Sequence, residues 1–104
     1  MDKSIQQLVT EILTDELLVV KNRIHPNAAL FYDLGLDSLD VVIFCELLEA
    51  KLSLKDGTVE LPTADYVKLT VKDLFATAEK AKKQAELEQQ KRMLRYQQKQ
   101  MKTK

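Results

Sequence analysis

The sequence predicts an all-α domain, and three observations carry that prediction. Two glycines, two prolines and no tryptophan in 104 residues leave little of the chain-reversing chemistry that a turn-rich β-protein needs. Leu, Ala, Glu, Lys and Gln are abundant, and all are good helix formers. Apolar residues recur at three- and four-residue steps in separate stretches. At this length, 45% apolar residues build one compact core.

Composition narrows the function classes. A single cysteine, Cys45, excludes an intramolecular disulfide and any cysteine cluster for a metal. No apolar run is long enough for a signal peptide or a membrane span, so a cytoplasmic protein is expected. The zero net charge hides an asymmetry. Residues 1–79 hold 7 Lys+Arg against 14 Asp+Glu, net −7, whereas residues 80–104 hold 9 against 2, net +7. An acidic body (residues 1–81) and a basic Lys/Gln-rich extension (82–104) are therefore expected as separate units.

Ile5, Leu8, Val9, Ile12, Leu13 and Leu17 form one helical stripe, which predicts a helix from about Ser4 to Leu18 capped by Asp2 or Ser4. Residues 21–27 break the pattern with Pro26 and Asn27, and Ile24 supplies an apolar anchor. His25, the only histidine, reads as a surface loop residue, with neither a cysteine nor a second histidine nearby to make it a site. Leu30 and Leu34 are expected beneath the next stretch, Asp33-Leu34-Gly35-Leu36-Asp37-Ser38-Leu39-Asp40. Gly35 permits a left-handed reversal, and Asp37 and Ser38 are residue types that cap a helix. That helix runs to Leu52, with Val41, Phe44, Cys45, Leu48 and Leu52 on its core side. Cys45 among them reads as a small buried hydrophobe rather than a nucleophile. Leu39, Val42 and Ile43 project the other way, interleaved with Asp40, Glu46 and Glu49. A helix apolar on both sides needs a second burial partner, from the fold or from another protein.

Residues 53–61 read as a loop turning at Lys55-Asp56-Gly57, with a very short Val59–Leu61 hairpin as the lesser alternative. Pro62 to Lys68 should form a brief helical turn, closed over the core by Tyr66, Val67 or Leu69. Thr70 and Asp73 form a capping-box-like start for a last helix, with Val71, Leu74, Phe75 and Ala78 inward. Residues 82–104 lack glycine and proline and so either continue that helix into solvent or remain a frayed, disordered tail. Leu87, Leu94 and Met101 repeat every seven residues, but one apolar residue per heptad is a poor coiled-coil seam.

Physics places one serine hydroxyl at a helix N-terminus, where unpaired amides favour an anionic group at or near the oxygen. From spacing alone, Ser38 or Asp37 remains a plain helix cap. The string Asp-Leu-Gly-x-Asp-Ser-Leu-Asp at positions 33–40 resembles the attachment site of acyl carrier proteins. The resemblance covers roughly residues 4–79. It implies a four-helix bundle of three longer helices and one short one. It also implies 4′-phosphopantetheine, transferred from coenzyme A to Ser38. The function implied is that of a carrier, not an enzyme, holding acyl thioesters for fatty-acid, lipid or polyketide-type biosynthesis, with an aminoacyl or peptidyl carrier as the alternative.

The implied partners are a phosphopantetheinyl transferase and acyl-transfer, condensing and modifying enzymes, met by a monomer through Asp37, Leu39, Asp40, Val42, Ile43, Glu46 and Glu49. Ile43 and Ala50 stand where fatty-acid carriers commonly have acids, which suggests weaker electrostatic steering and a more specialised partner set. The loop at 53–61 is also longer than in typical carriers. Two other classes fare worse. A nucleic-acid or membrane-surface module using the basic tail conflicts with the acidic body and the absence of an aromatic stacking surface. A hydrolase with Ser38 as nucleophile lacks Gly-x-Ser-x-Gly and any histidine other than His25.

Overall fold

The computed structural model describes residues 4–102, with side chains through Tyr96, so Asp2 and the side chain of Met101 lie outside the described residues. Helix α1 spans Ile5–Glu11 and continues as a π-helical segment over Ile12–Glu16. A 3₁₀ turn at Lys21–Arg23 precedes α2, Ser38–Lys51. A second 3₁₀ turn at Tyr66–Lys68 leads into α3, Val71–Lys102. No strand occurs among the described residues, and the one isolated β-bridge pairs Ala29 with Thr70. This is the expected all-α carrier-like arrangement, with the extension helical.

Ser4 caps α1 through a reciprocal box with Gln7: its hydroxyl accepts from the Gln7 amide at 3.1 Å, and its own amide donates to the Gln7 side chain at 3.0 Å. The expected single helix to Leu18 is not uniform. The wider π turn adds a residue, which keeps Ile12 and Leu13 both fully buried. Leu18 then takes a left-handed φ of 60° and points into solvent, while the Val19 amide donates back to Leu13 O and Val19 is buried.

α1 packs on α3, and the π segment packs on α2. Phe44, Leu48, Leu30, Leu69 and Leu74 are fully buried at the centre with Val9, Ile12 and Leu13. Each such side chain contributes ~1.5–3 kcal/mol relative to exposure. Ala85 is the last apolar residue of α3 packed against this core. Beyond it the helix runs beside Lys51–Ser53 and Lys55 as far as Arg95, and the molecule measures 61 × 31 × 19 Å.

The loop after α2 is not a hairpin. Ser53 turns with φ 57°, and the Leu54 amide donates to Glu49 O at 2.8 Å. The Val59 amide donates to the Glu49 carboxylate, also at 2.8 Å. The loop therefore folds back along one flank of α2 and buries Glu49, which is 2% exposed. Glu49 was expected on the outward face with Glu46. It is instead a structural acceptor that satisfies a loop amide which a strand partner would otherwise have to serve.

Candidate functional site

The segment before Ser38 is fixed by backbone hydrogen bonds to the start of α3. Leu30 N–H donates to Leu69 O at 3.0 Å, Val71 N–H to Ala28 O at 3.0 Å, and Lys72 N–H to Pro26 O at 2.9 Å. From that anchor the chain winds through a compact turn. The Asp33 carboxylate accepts from the Ala29 amide at 2.7 Å. Gly35, at φ 70°, reverses the chain so that the Leu36 amide reaches Leu30 O at 2.9 Å. Leu30 and Leu36 are buried and Leu34 is half-buried, so three apolar anchors hold the turn against the bundle.

Asp37, not Ser38, is the N-cap of α2. Its Oδ1 accepts from the Asp40 amide at 2.9 Å, and the Asp40 Oδ2 accepts from the Asp37 amide at 3.1 Å. With Asp40 N–H taken by the Asp37 side chain and Val41 N–H by Asp37 O, the Ser38 and Leu39 amides are the open donors of the first turn. Ser38 is the first helical residue. Its side chain is exposed, and no described side chain hydrogen-bonds its hydroxyl. The arrangement leaves a free nucleophilic oxygen beside a pair of amides at the positive end of a helix dipole. That is a suitable seat for a phosphate ester.

The other expected site residues divide by exposure. Leu39 is 64% exposed and Val42 51%, both on the outward strip of α2. Ile43 is half-buried but lies outside the core cluster, and Glu46 is exposed. Asp37 is exposed and Asp40 half-buried, each with one carboxylate oxygen engaged in the capping box. Glu49 is withdrawn into the fold. Cys45 is half-buried, and burial, with added repulsion from Glu49 and Glu46, pushes its thiol up to about 11. It is thus protonated at neutral pH, as a buried hydrophobe should be. His25 is exposed in the turn before Ala28. Among the described residues no His/Cys/Asp/Glu group is placed to hold a metal ion.

One feature of the site was not visible in the sequence. Phe31 meets Tyr32 edge-on at 5.1 Å and Tyr66 edge-on at 5.7 Å, linking the turn before Ser38 to the second 3₁₀ helix. The two segments are 35 residues apart, and the Ala29–Thr70 bridge with its flanking backbone hydrogen bonds brings them together.

Residues 7–79 match the family model described as "Phosphopantetheine attachment site". The chain belongs to the acyl carrier protein family. It is 38% identical over 73 residues to an acyl carrier protein of Syntrophobacter fumaroxidans, covering 69% of this chain and 84% of that protein. It is 36% identical over 72 residues to an acyl carrier protein of Helicobacter hepaticus, covering 68% of this chain and 88% of that one. The matched region contains the whole Ser38 turn and ends before the basic extension. Membership in this family makes the chain an acyl carrier with 4′-phosphopantetheine as its covalent prosthetic group. No helix among the described residues is long and apolar enough to cross a membrane.

Proposed function

We propose that Ser38 is the residue that bears 4′-phosphopantetheine. The observation that carries the assignment is its hydroxyl: exposed, free of hydrogen bonds and first in α2, because Asp37 supplies the cap in its place. In the loading step the Ser38 oxygen attacks the phosphate of coenzyme A that carries the pantetheine. A serine O–P bond forms, the pyrophosphate P–O bond breaks, adenosine 3′,5′-bisphosphate leaves and the hydroxyl proton is lost. When bound, the group supplies a thiol that carries the acyl cargo as a thioester. The chain's own contribution is attachment and presentation. The Ser38 and Leu39 amides favour the phosphodiester charge, and the anchored 29–36 turn holds the serine at the rim of the bundle.

The partner-recognition surface we assign is the outward strip of Leu39, Val42, Ile43 and Glu46, bordered by the capping-box carboxylates of Asp37 and Asp40. Its support is the exposure of two large apolar residues, Leu39 and Val42, within four residues of Ser38. Its partners are a phosphopantetheinyl transferase and enzymes that load, condense and modify the acyl group, which themselves supply the catalytic residues. The reading takes the cytoplasm as its compartment.

The test is incubation of the purified chain with coenzyme A and a broad-specificity phosphopantetheinyl transferase, followed by intact and peptide mass measurement. One phosphopantetheinyl group is expected on the peptide containing Ser38, and none on Ser38→Ala. A gain retained in Ser38→Ala, or no gain in either chain, refutes the assignment. For the strip, Ile43→Glu should change affinity for the true partner. Unchanged affinity removes Ile43 from the surface.

A further inference from the structure

The loop after α2 brings a lysine to a basic face of α3. Glu88, Lys91, Arg92 and Arg95 fall at i, i+3, i+4 and i+7, so they share one face of that helix. Lys55 stands across from them, and the five side chains line an open cleft of about 260 Å³. The backbone holds Lys55 in place. Leu54 before it is buried and donates its amide to Glu49 O at 2.8 Å, while the Lys55 carbonyl accepts the Thr58 hydroxyl at 2.7 Å. A neighbouring cleft shares Glu88 and Arg92 and adds Lys51 and Lys82 against Glu86.

Every described residue that lines the first cleft is charged: four cations against one carboxylate, net +3. Glu88 is placed to pair with Lys91 or Arg92 one turn along the helix, which leaves that surplus intact. The fold thus gathers like charges from two distant segments, an arrangement that costs energy until a counter-charge arrives. The lining also selects the ligand. Two guanidinium forks and two ammonium groups suit an anion that offers several oxygens. A diphosphate group carries about −3, from ~−1.5 on each phosphoryl, and so matches the surplus. Its size matches too, because about 260 Å³ is the space of roughly nine waters at ~30 Å³ each. An acidic peptide would have to bring three carboxylates, each on its own residue, into that space. Single-stranded nucleic acid needs aromatic stacking and an interfacial helix needs apolar side chains beside its cations, and the described lining residues offer neither.

We propose that this cleft binds the diphosphate group of a small soluble molecule through Lys55, Lys91, Arg92 and Arg95. α2 is 14 residues, about 21 Å long, and Ser38 is at its other end. The anion bound here is therefore not a phosphate attached to Ser38, and the site does not depend on that serine being modified.

Isothermal titration calorimetry of the full chain with inorganic pyrophosphate as the probe tests this, in about 0.1 M salt so that diffuse attraction is screened. Saturable one-to-one binding is expected. Lys55→Gln, Arg92→Gln and Arg95→Gln change exposed residues, so helical circular dichroism should persist while each raises Kd about tenfold or more. Lys83→Gln removes an exposed charge of the same helix outside the cleft and should change Kd by less than about twofold. Absence of saturable binding overturns the proposal. So does an equal loss in Lys83→Gln, the mark of diffuse attraction to the helix, or an unchanged Kd in Lys55→Gln, which would leave helix charge alone as the cause. Tighter binding of triglutamate than of pyrophosphate overturns it in favour of an acidic protein segment. Retention on phosphatidic acid vesicles or on oligothymidylate by a chain that does not bind free pyrophosphate overturns it in favour of a lipid surface or a nucleic acid.

Discussion

Replacing Glu49 by alanine separates a structural carboxylate from a docking one. The Glu49 carboxylate accepts the Val59 amide at 2.8 Å across ten residues of sequence, and its side chain is 2% exposed. Removing it leaves that amide without its acceptor and detaches the 54–61 loop from the α2 flank. A hydrogen bond to a charged acceptor is worth about 1.5–3 kcal/mol. Val59 is only half-buried, so water recovers part of the loss and ~2 kcal/mol is the expected destabilisation. For a domain of this size that lowers Tm by about 8–16 °C. Glu49→Gln keeps an oxygen acceptor in place and should lose less than ~1 kcal/mol. Urea unfolding followed by circular dichroism measures both. Loading by the transferase well below the variant's Tm should change by no more than about twofold, because the carboxylate never reaches the surface. The reasoning fails if Glu49→Ala unfolds within ~0.5 kcal/mol of the parent while its affinity for a partner enzyme falls.

Four further outcomes follow from the geometry. Gly35→Ala adds a Cβ that meets nothing within 4 Å, so its cost is the left-handed backbone alone at φ 70°. A loss of ~1–2 kcal/mol in urea unfolding is expected, and no loss would show that the turn relaxes freely. Cys45 keeps its proton up to about 11, so iodoacetamide at pH 8 should label the native chain about tenfold or more slowly than the unfolded one. A thiol raised in the folded state stabilises below its unfolded value near 9 and loses that contribution as pH climbs toward 11. The urea midpoint should therefore fall between pH 9 and 11, and fall less in Cys45→Ala. Finally, a chain ending at Ala85 should keep the parent Tm within a few degrees, while one ending at Ala81 loses the Ala85 contact and ~1 kcal/mol, as differential scanning calorimetry would show.

The sequence by itself determined the helical class, the positions of α1, α2 and the start of α3, the serine at a helix N-terminus, and the split between an acidic body and a basic extension. These are local properties. Helical periodicity, capping chemistry and net charge are set by residues within a few positions of one another, and spacing alone reports them. It also identified Leu39 and Val42 as outward, because on a helical wheel they lie opposite the Val41, Phe44 and Leu48 stripe.

Tertiary structure decided the rest. On a helical wheel Glu49 lies at the edge of the α2 outward strip, and no count of spacings says that the 54–61 loop returns to cover that edge. At the start of α2 the sequence left the cap open between Asp37 and Ser38; the structure gives it to Asp37, whose carboxylate and that of Asp40 cap one another's amides and so leave Ser38 free. The π segment that buries Ile12 and Leu13 together, and the Phe31–Tyr66 contact across the Ala29–Thr70 bridge, depend on which distant segments meet. Burial of a flank is a pairwise property of the folded chain. It enters the free energy only when a second element arrives, which is why the return of the 54–61 loop, and no spacing along α2, decided the role of Glu49.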